Sequence, residues 1–432
     1  MPDEPGDVVE LTVERVVPGG EGLARLGGPV ILIDGGLPGD RLRVRLRPDG
    51  PRLLRGSVLS VLSPGPARRA AVEVCPRAAD GSCGGCDWPA ARLESHEGLK
   101  RELVRDALRR IGGLGEAEAG SLRWIGSERN YRLRNRLHVD SLGRIGFFAP
   151  MSTDVSGLDT CEIVSRHLLA RIGKLAEAFA ASRTPGELET LEGIDGTPLL
   201  GRFRPAFALE APELLADRLM GPLDGIEVLE PGGRSVASRG PSSLDLVAGG
   251  VCFRVSTGSF FQGNRYLLAP FLDEIRRFVQ LGVPRAGGRA LDLYAGGGFL
   301  TRPLVEFGLV TTAVEPDGTS AEDLAANAAS WAREGLPRID VRRGTAEEAA
   351  RCERGPVELV VVDPPRAGVS PVVRRELLRL APPSLVMVSC DPATLARDLG
   401  ALKGDYVVRE STLLDLFPGT HHVETAVLLG RR

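Results

Sequence analysis

Ala290–Gly308 reads ALDLYAGGGFLTRPLVEFG. An apolar run of strand length enters three consecutive glycines and leaves with helical spacing, which predicts a strand, a tight turn and a helix. Glycines there let the backbone approach a nucleotide-like ligand at the strand end, the opening unit of a doubly wound α/β sheet. The next apolar strand, VTTAVEP, ends in Glu315, where a carboxylate accepts ribose hydroxyls. A dinucleotide enzyme shows the same pair. Here Gly296, Gly297 and Gly298 stand in a row without the GxGxxG spacing, which favours S-adenosylmethionine over NAD.

Two further strands point at the same sheet edge. LVVVDPPRAGV ends in Asp363, Pro364, Pro365 and Arg366, the prolines making a rigid rim from which the acid and the base project. SLVMVSCDPATLARDL, Ser384–Leu399, passes from an apolar run to helical spacing with Cys390 at the joint. That position suits a nucleophile facing a cleft, and equally a small packed residue. LFPGTHHVETAVLLGRR closes the chain with Glu424 ahead of an apolar strand, and upstream Phe260, Phe261 and Gln262 lead into a helix.

With 432 residues the chain is long enough for two or three domains, and 43% hydrophobic with 26% charged residues is the balance of a soluble globular protein. No apolar run reaches a membrane span and the start, MPDEPGDVVE, is acidic rather than basic then apolar, so no membrane is expected and the location is read as cytoplasmic. A net charge of −3 leaves any nucleic-acid surface to local patches. Such a patch lies near the N-terminus. From Asp7 to about Leu62 short strands alternate with glycines and prolines, the pattern of a small barrel, and Arg41, Arg43, Arg45 and Arg47 alternate with Leu42, Val44 and Leu46. Eight arginines against one acid between Arg41 and Arg69 suit a phosphate-tracking surface, though a solvated face has the same composition.

Cys75, Cys83 and Cys86 cluster in VCPRAADGSCGGCDW, with Cys161 distant in LDTCEIVS. Four thiolates so arranged hold zinc or an iron–sulfur cluster, and the spacing does not choose between them. Between them Leu99, Leu103, Ala107, Leu108 and Ile111 recur at helical intervals, leaving Lys100, Arg101, Arg105, Arg109 and Arg110 for the rest of the helix surface. NYRLRNRLHV then places Arg132, Arg134 and Arg136 on one strand face near aromatics, a composition suited to folded RNA or to a solvated strand edge. Ser182 to about Ala248 carries no motif.

The N-terminal pattern resembles the TRAM domain, a small RNA-binding barrel appended to RNA-modifying enzymes. FFQGN, LDLYAGGG, DPPRAG, SCDPATLARDL and HHVETAVLL follow the order and spacing of the RNA uracil-5 methyltransferase family, and with the barrel the resemblance covers nearly the whole chain. It implies a multidomain α/β protein: a TRAM-like β-barrel over 1–65, a central α+β domain over 70–250 with the metal cluster, and a doubly wound S-adenosylmethionine-dependent methyltransferase domain over 251–432. It implies a four-iron, four-sulfur cluster on Cys75, Cys83, Cys86 and Cys161. Cys390 becomes the nucleophile and Glu424 the general base, with Gln262, Tyr294, Gly296, Glu315 and Asp363 at the cofactor or the base and Arg366 lining the substrate pocket. The implied reaction methylates carbon 5 of a uridine in RNA, ribosomal RNA favoured by the barrel, with transfer RNA or an inactive metal-containing RNA-binding protein as alternatives. No protein partner is inferred. Three positions depart from the pattern: seven residues separate Cys75 from Cys83, Phe299 stands where Asn is common, and Asp391 replaces the usual Asn beside Cys390, a charge that raises a thiol pKa.

Overall fold

The structure, a computed structural model, describes residues 6–50, 53–115 and 121–432. The acidic first residues and Arg52 of the basic run therefore lie outside it. Its largest sheet has eight strands, in the order Asp340–Arg343, Val310–Glu315, Arg289–Leu293, Leu359–Val362, Ser384–Ser389, Glu424–Arg431, Tyr406–Leu414 and Leu122–Ile125. The first five run parallel, and the two long C-terminal strands add an antiparallel hairpin. LVVV and SLVMVS are buried at every position, because helices cover both faces of a parallel sheet. The chain winds outward from Arg289–Leu293, then returns to its other side at Leu359–Val362. Strand order reverses there, so the glycine turn after Leu293 and Asp363 after Val362 open onto one crevice.

Three elements expected in the central region belong to this unit. Leu122–Ile125 pairs parallel to Tyr406–Leu414 as the sheet's last strand. The hairpin Ser243–Ala248/Val251–Ser256 pairs across the expected boundary at 250, and Leu244, Leu246, Phe253 and Val255 enter the core beneath the large sheet. The helix His96–Arg110 packs against Pro392–Leu402, the helix that follows Cys390. Buried apolar area decides membership, and composition along the chain does not report it. The His96–Arg110 helix buries Leu99, Leu103, Ala107 and Leu108 as the spacing requires, but two positions differ. Ile111 is 48% exposed, and Lys100, expected on the solvent side, is fully buried.

The N-terminal strands form a six-stranded sheet in the order Val8–Thr12, Arg41–Pro48, Leu53–Ser63, Val30–Ile33, Gly22–Arg25, Arg15–Val16. Its two edge strands are consecutive in the chain, so the sheet curls into a small barrel around Ile31, Ile33, Leu42 and Val44. All four arginines of the second strand point outward. Arg41 and Arg43 pair with Glu10, whereas Arg45 and Arg47 have no carboxylate within 4 Å among the described residues. The middle of the chain forms a seven-stranded sheet from Val155–Gly157 at one edge to Ser235–Arg239 at the other, with the helices Arg166–Ser182 and Pro212–Leu219 against its buried face. The stretch without sequence motifs thus supplies four of its strands. No helix among the described residues is long and apolar enough to cross a membrane.

Gly112 and Gly400 set the approach of the two packed helices: a Cβ on Gly400 would lie 2.9 Å from the Gly112 carbonyl oxygen. Alanine normally gains up to ~1 kcal/mol over glycine within a helix. Here Gly400→Ala is expected to lower stability instead, by about 1–3 kcal/mol, because backbone must move. A reduced melting temperature in thermal denaturation checks this.

Candidate active site

Cys390 follows the last residue of the Ser384–Ser389 strand, at the carboxyl edge of the sheet. Burial pushes its thiol up to about 11, helped by the charges of Glu424, Asp363 and Asp391, while the Arg366 guanidinium pulls it down. Asp391 acts least among these, and its geometry explains why. It is the N-cap of the Pro392–Leu402 helix, and its Oδ1 accepts the Thr394 N–H at 2.7 Å. Glu424, the first residue of the neighbouring strand, is fully buried, which holds its carboxyl well above the usual range, and Asp363 reinforces the shift. Burial likewise raises Asp363 to about 7. Arg366 Nη2 lies 3.3 Å from His422 Nε2, two residues before Glu424.

A pocket beside this cluster is lined by Gln262, Tyr294, Gly296 and Asp363 together with Phe260 and Phe261. Tyr294 sits at φ +68, which turns the chain sharply off the strand into the glycines. Gly298, at φ +93, allows the turn to press on Trp331 and Leu324, where a Cβ would approach to 2.9 Å. Glu315 closes the turn: its two carboxylate oxygens accept the N–H groups of Gly296 at 2.9 Å and Asp317 at 2.8 Å. Beneath it Asp292 is buried and accepts the Thr301 hydroxyl at 2.6 Å, with its other oxygen unpaired. Burial raises Asp292 to about 7. An open glycine turn and an apolar wall fit S-adenosylmethionine, while Glu315 braces the turn from outside the residues that line the pocket. Phe299 also lines the pocket and packs edge-on to Phe261 and Phe271 and tilted against Phe253, so an apolar contact replaces the polar one an Asn would make.

Gln262 and Phe260 also belong to a second, wider cleft of about 1300 Å³ between this domain and the central sheet. Arg132, Arg134, Arg136, Arg202 and Arg204 line it. Arg136 pairs with Glu187 and Glu189. Arg134 donates to the Thr257 carbonyl at 3.3 Å and has no carboxylate within 4 Å among the described residues; burial pulls it down to about 10. Tyr131 Oη and Asn135 Oδ1 are buried there without partners among the described residues. Phe260 is 62% exposed at the mouth.

The four cysteines Cys75, Cys83, Cys86 and Cys161 line one pocket, as free thiols. Burial and the other three sulfurs push Cys86 up to about 12, and burial raises Cys161. Gly419 stands against them, a Cβ there falling 3.5 Å from the Cys86 sulfur. No three of these thiols come within 4.8 Å of one another; the one set of three ligand atoms that does, among the described residues, is Asp87, His421 and His422.

Asp292, Asn264, Asp415 and His422 do not stand out in the sequence as site residues. Asp292 had a signal, a carboxylate inside an apolar strand. The others are set by contacts from distant segments: Asn264 Nδ2 donates to the Leu416 carbonyl at 3.0 Å. Asp292 has a measurable consequence. Its folded pKa is raised, so its contribution to stability is present below its unfolded pKa and is lost as pH rises through about 7. Asp292→Asn removes that loss, and its stability relative to the ligand-free native protein is expected to improve between pH 4 and 8 by on the order of 4 kcal/mol. Paired thermal melts across that range check the sign.

A family model described as tRNA (Uracil-5-)-methyltransferase matches residues 243–432, and one described as TRAM domain matches residues 2–59. An RNA methyltransferase of Streptomyces avermitilis is 31% identical, with 98% of each chain covered. A 23S rRNA (uracil(1939)-C(5))-methyltransferase of Halomonas elongata is 31% identical over 97% of this chain and 89% of its own. The solved tRNA (uracil-54, C5)-methyltransferase of Pyrococcus abyssi, in complex with S-adenosyl-L-homocysteine, superposes with a TM-score of 0.75 over 98% of this chain and all of its own, at 20% identity. Relatives of 31% identity thus match nearly the whole chain: the protein belongs to the RNA uracil-5 methyltransferase family and is an S-adenosylmethionine-dependent enzyme of that class.

Proposed function

We propose that the protein methylates carbon 5 of a uridine in ribosomal RNA through a covalent adduct on Cys390. The convergence of Cys390, Arg366, Asp363 and Glu424 beside the cofactor pocket carries this reading. Carbon 5 of uracil is too weak a nucleophile to take a methyl group unaided. Addition of the Cys390 thiolate to carbon 6 turns the ring into an enolate, whose carbon 5 then attacks. Bound S-adenosylmethionine supplies the electrophilic methyl group. Glu424, a strong base because it is desolvated, takes the proton from carbon 5; the electrons re-form the ring double bond and expel the thiolate. Arg366 offers its guanidinium both to the thiolate and to the enolate oxygen. Gln262, Tyr294, Gly296, Glu315 and Asp363 hold the cofactor, Glu315 through ribose hydroxyls.

The Arg134 cleft leads RNA to the site. A half-buried guanidinium without a carboxylate suits a phosphate, and exposed Phe260 offers a stacking face to an unstacked base. Arg45 and Arg47 of the barrel offer a further exposed basic face. Ribosomal RNA is favoured by the relative from Halomonas elongata, whose name specifies 23S rRNA. Transfer RNA, named in the family model, is the second reading. Mapping 5-methyluridine in ribosomal and transfer RNA from cells with and without the gene decides between them.

The donor set fits an iron–sulfur cluster on Cys75, Cys83, Cys86 and Cys161. A single tetrahedral zinc with Zn–S of about 2.3 Å brings its sulfurs to roughly 3.8 Å. The wider spread of these thiols supports the larger group. The transfer consumes no electrons, so a cluster here serves structure.

RNA containing 5-fluorouridine has no proton for Glu424 to remove and is expected to trap the enzyme as an SDS-stable complex. Cys390→Ala should form none, and Glu424→Gln should trap even ordinary uridine RNA while turnover falls by on the order of 100-fold or more. An adduct retained in Cys390→Ala refutes the nucleophile. Anaerobically purified protein should be brown and contain iron, and Cys86→Ser should lose the colour; a colourless zinc-loaded protein refutes the cluster.

A further inference from the structure

Lys100 is fully buried in the His96–Arg110 helix, and its ammonium has three hydrogens for three acceptors: the Asp415 carboxylate, the Phe417 carbonyl at 3.1 Å and the His422 carbonyl at 2.6 Å. All three acceptors lie in the connection Asp415–Val423, between the Tyr406–Leu414 and Glu424–Arg431 strands. One cation therefore grips both ends of that connection, its first residue and the residue two before Glu424. His96 Nδ1 holds the other oxygen of Asp415 at 3.0 Å and so orients the carboxylate. Neutral ties complete the hold: Trp88 N–H to the Gly419 carbonyl at 2.9 Å and Asn264 to the Leu416 carbonyl.

A buried ammonium is expensive and is retained only where its partners compensate it. These partners belong to the segment that leads into the base, and the same segment places His422 against Arg366. Cys390 stands on a separate limb, fixed by its own strand and by the helix that Asp391 caps. We infer that Lys100 is a positioning residue for the second half of the reaction: it fixes the Asp415–Val423 connection so that Glu424 reaches the carbon 5 proton. The inference rests on the roles given above to Cys390 and Glu424.

Lys100→Met tests it. The variant should form the adduct with 5-fluorouridine RNA close to the wild-type rate, because that step uses Cys390, Arg366 and the cofactor, all outside the Asp415–Val423 connection, and does not use Glu424. Turnover on uridine RNA should fall by on the order of tenfold to a hundredfold, as expected for a displaced catalytic group. Uridine RNA should then accumulate as an SDS-stable complex, a signature that loss of stability alone does not produce. Lys100→Met/Asp415→Asn removes the carboxylate that the single change leaves without its lysine, and carries the test if the single variant does not fold. The proposal is overturned if adduct formation and turnover fall in proportion, if turnover is unchanged, or if neither variant folds, since Lys100 is then a folding residue. If wild-type enzyme forms no Cys390-dependent adduct, the underlying reading fails whatever Lys100 does.

Discussion

Desolvation at the carboxyl edge of the large sheet governs this molecule. Asp292, Glu315, Asp363 and Glu424 leave water together there, and burial is the largest influence on every one of them. Unit charges ~5 Å apart interact by roughly 3 kcal/mol at the effective dielectric of such sites, so these groups cannot all ionise beside a thiolate. Burial therefore favours the protonated form of each of these carboxyls. Groups poised to exchange protons are what an addition followed by a proton abstraction requires. Arg366 is the cation that acts on the sulfur, and every negative neighbour it opposes makes its presence more consequential.

The edge is assembled from limbs that the fold must hold in register. Parallel winding places the glycine turn and Asp363 across one switch point, and the antiparallel hairpin then pairs Thr425, the residue after Glu424, with Ser389, the residue before Cys390. Neither relation fixes the loops. The connection ahead of Glu424 is tied from outside the sheet, by Asn264 in the loop that also carries Gln262 and by Trp88 next to Cys86 and Asp87. Trp88 is itself buried and donates from Nε1 to the Gly20 carbonyl of the barrel at 2.7 Å. The thiol loop, the barrel and the catalytic edge thus share one packed junction.

Local chemistry was legible in the chain. Apolar strands ending in Asp363 or Cys390 and three glycines after LDLY announced a doubly wound sheet with a working carboxyl edge, and alternation in RLRVRLR announced one wet and one dry face. Membership in a sheet was not legible: Leu122–Ile125 reads as a short strand anywhere, and only the free edge of the Tyr406–Leu414 strand claims it. Lys100 was read as surface because a lysine on an amphipathic helix usually is. Its three partners come from a segment more than three hundred residues away, and no helical period encodes them. The four strands after Ser182 lacked a signal because packing against helices, rather than any turn or charge pattern, defines them.

Asp391 shows how such an edge accommodates a charge that the usual residue would avoid. Asn and Asp cap helices almost equally well, so the stability of the Pro392–Leu402 helix does not distinguish them. The difference lies in electrostatics. The carboxylate is directed at the Thr394 amide, where the helix terminus presents roughly half a positive charge, and much of its field is answered locally. What reaches the thiol ranks below burial, Glu424, Arg366 and Asp363. A capping carboxylate therefore costs the nucleophile little, provided that it stays on the amide; turned toward the sulfur, the same charge would oppose the ionisation that the chemistry needs.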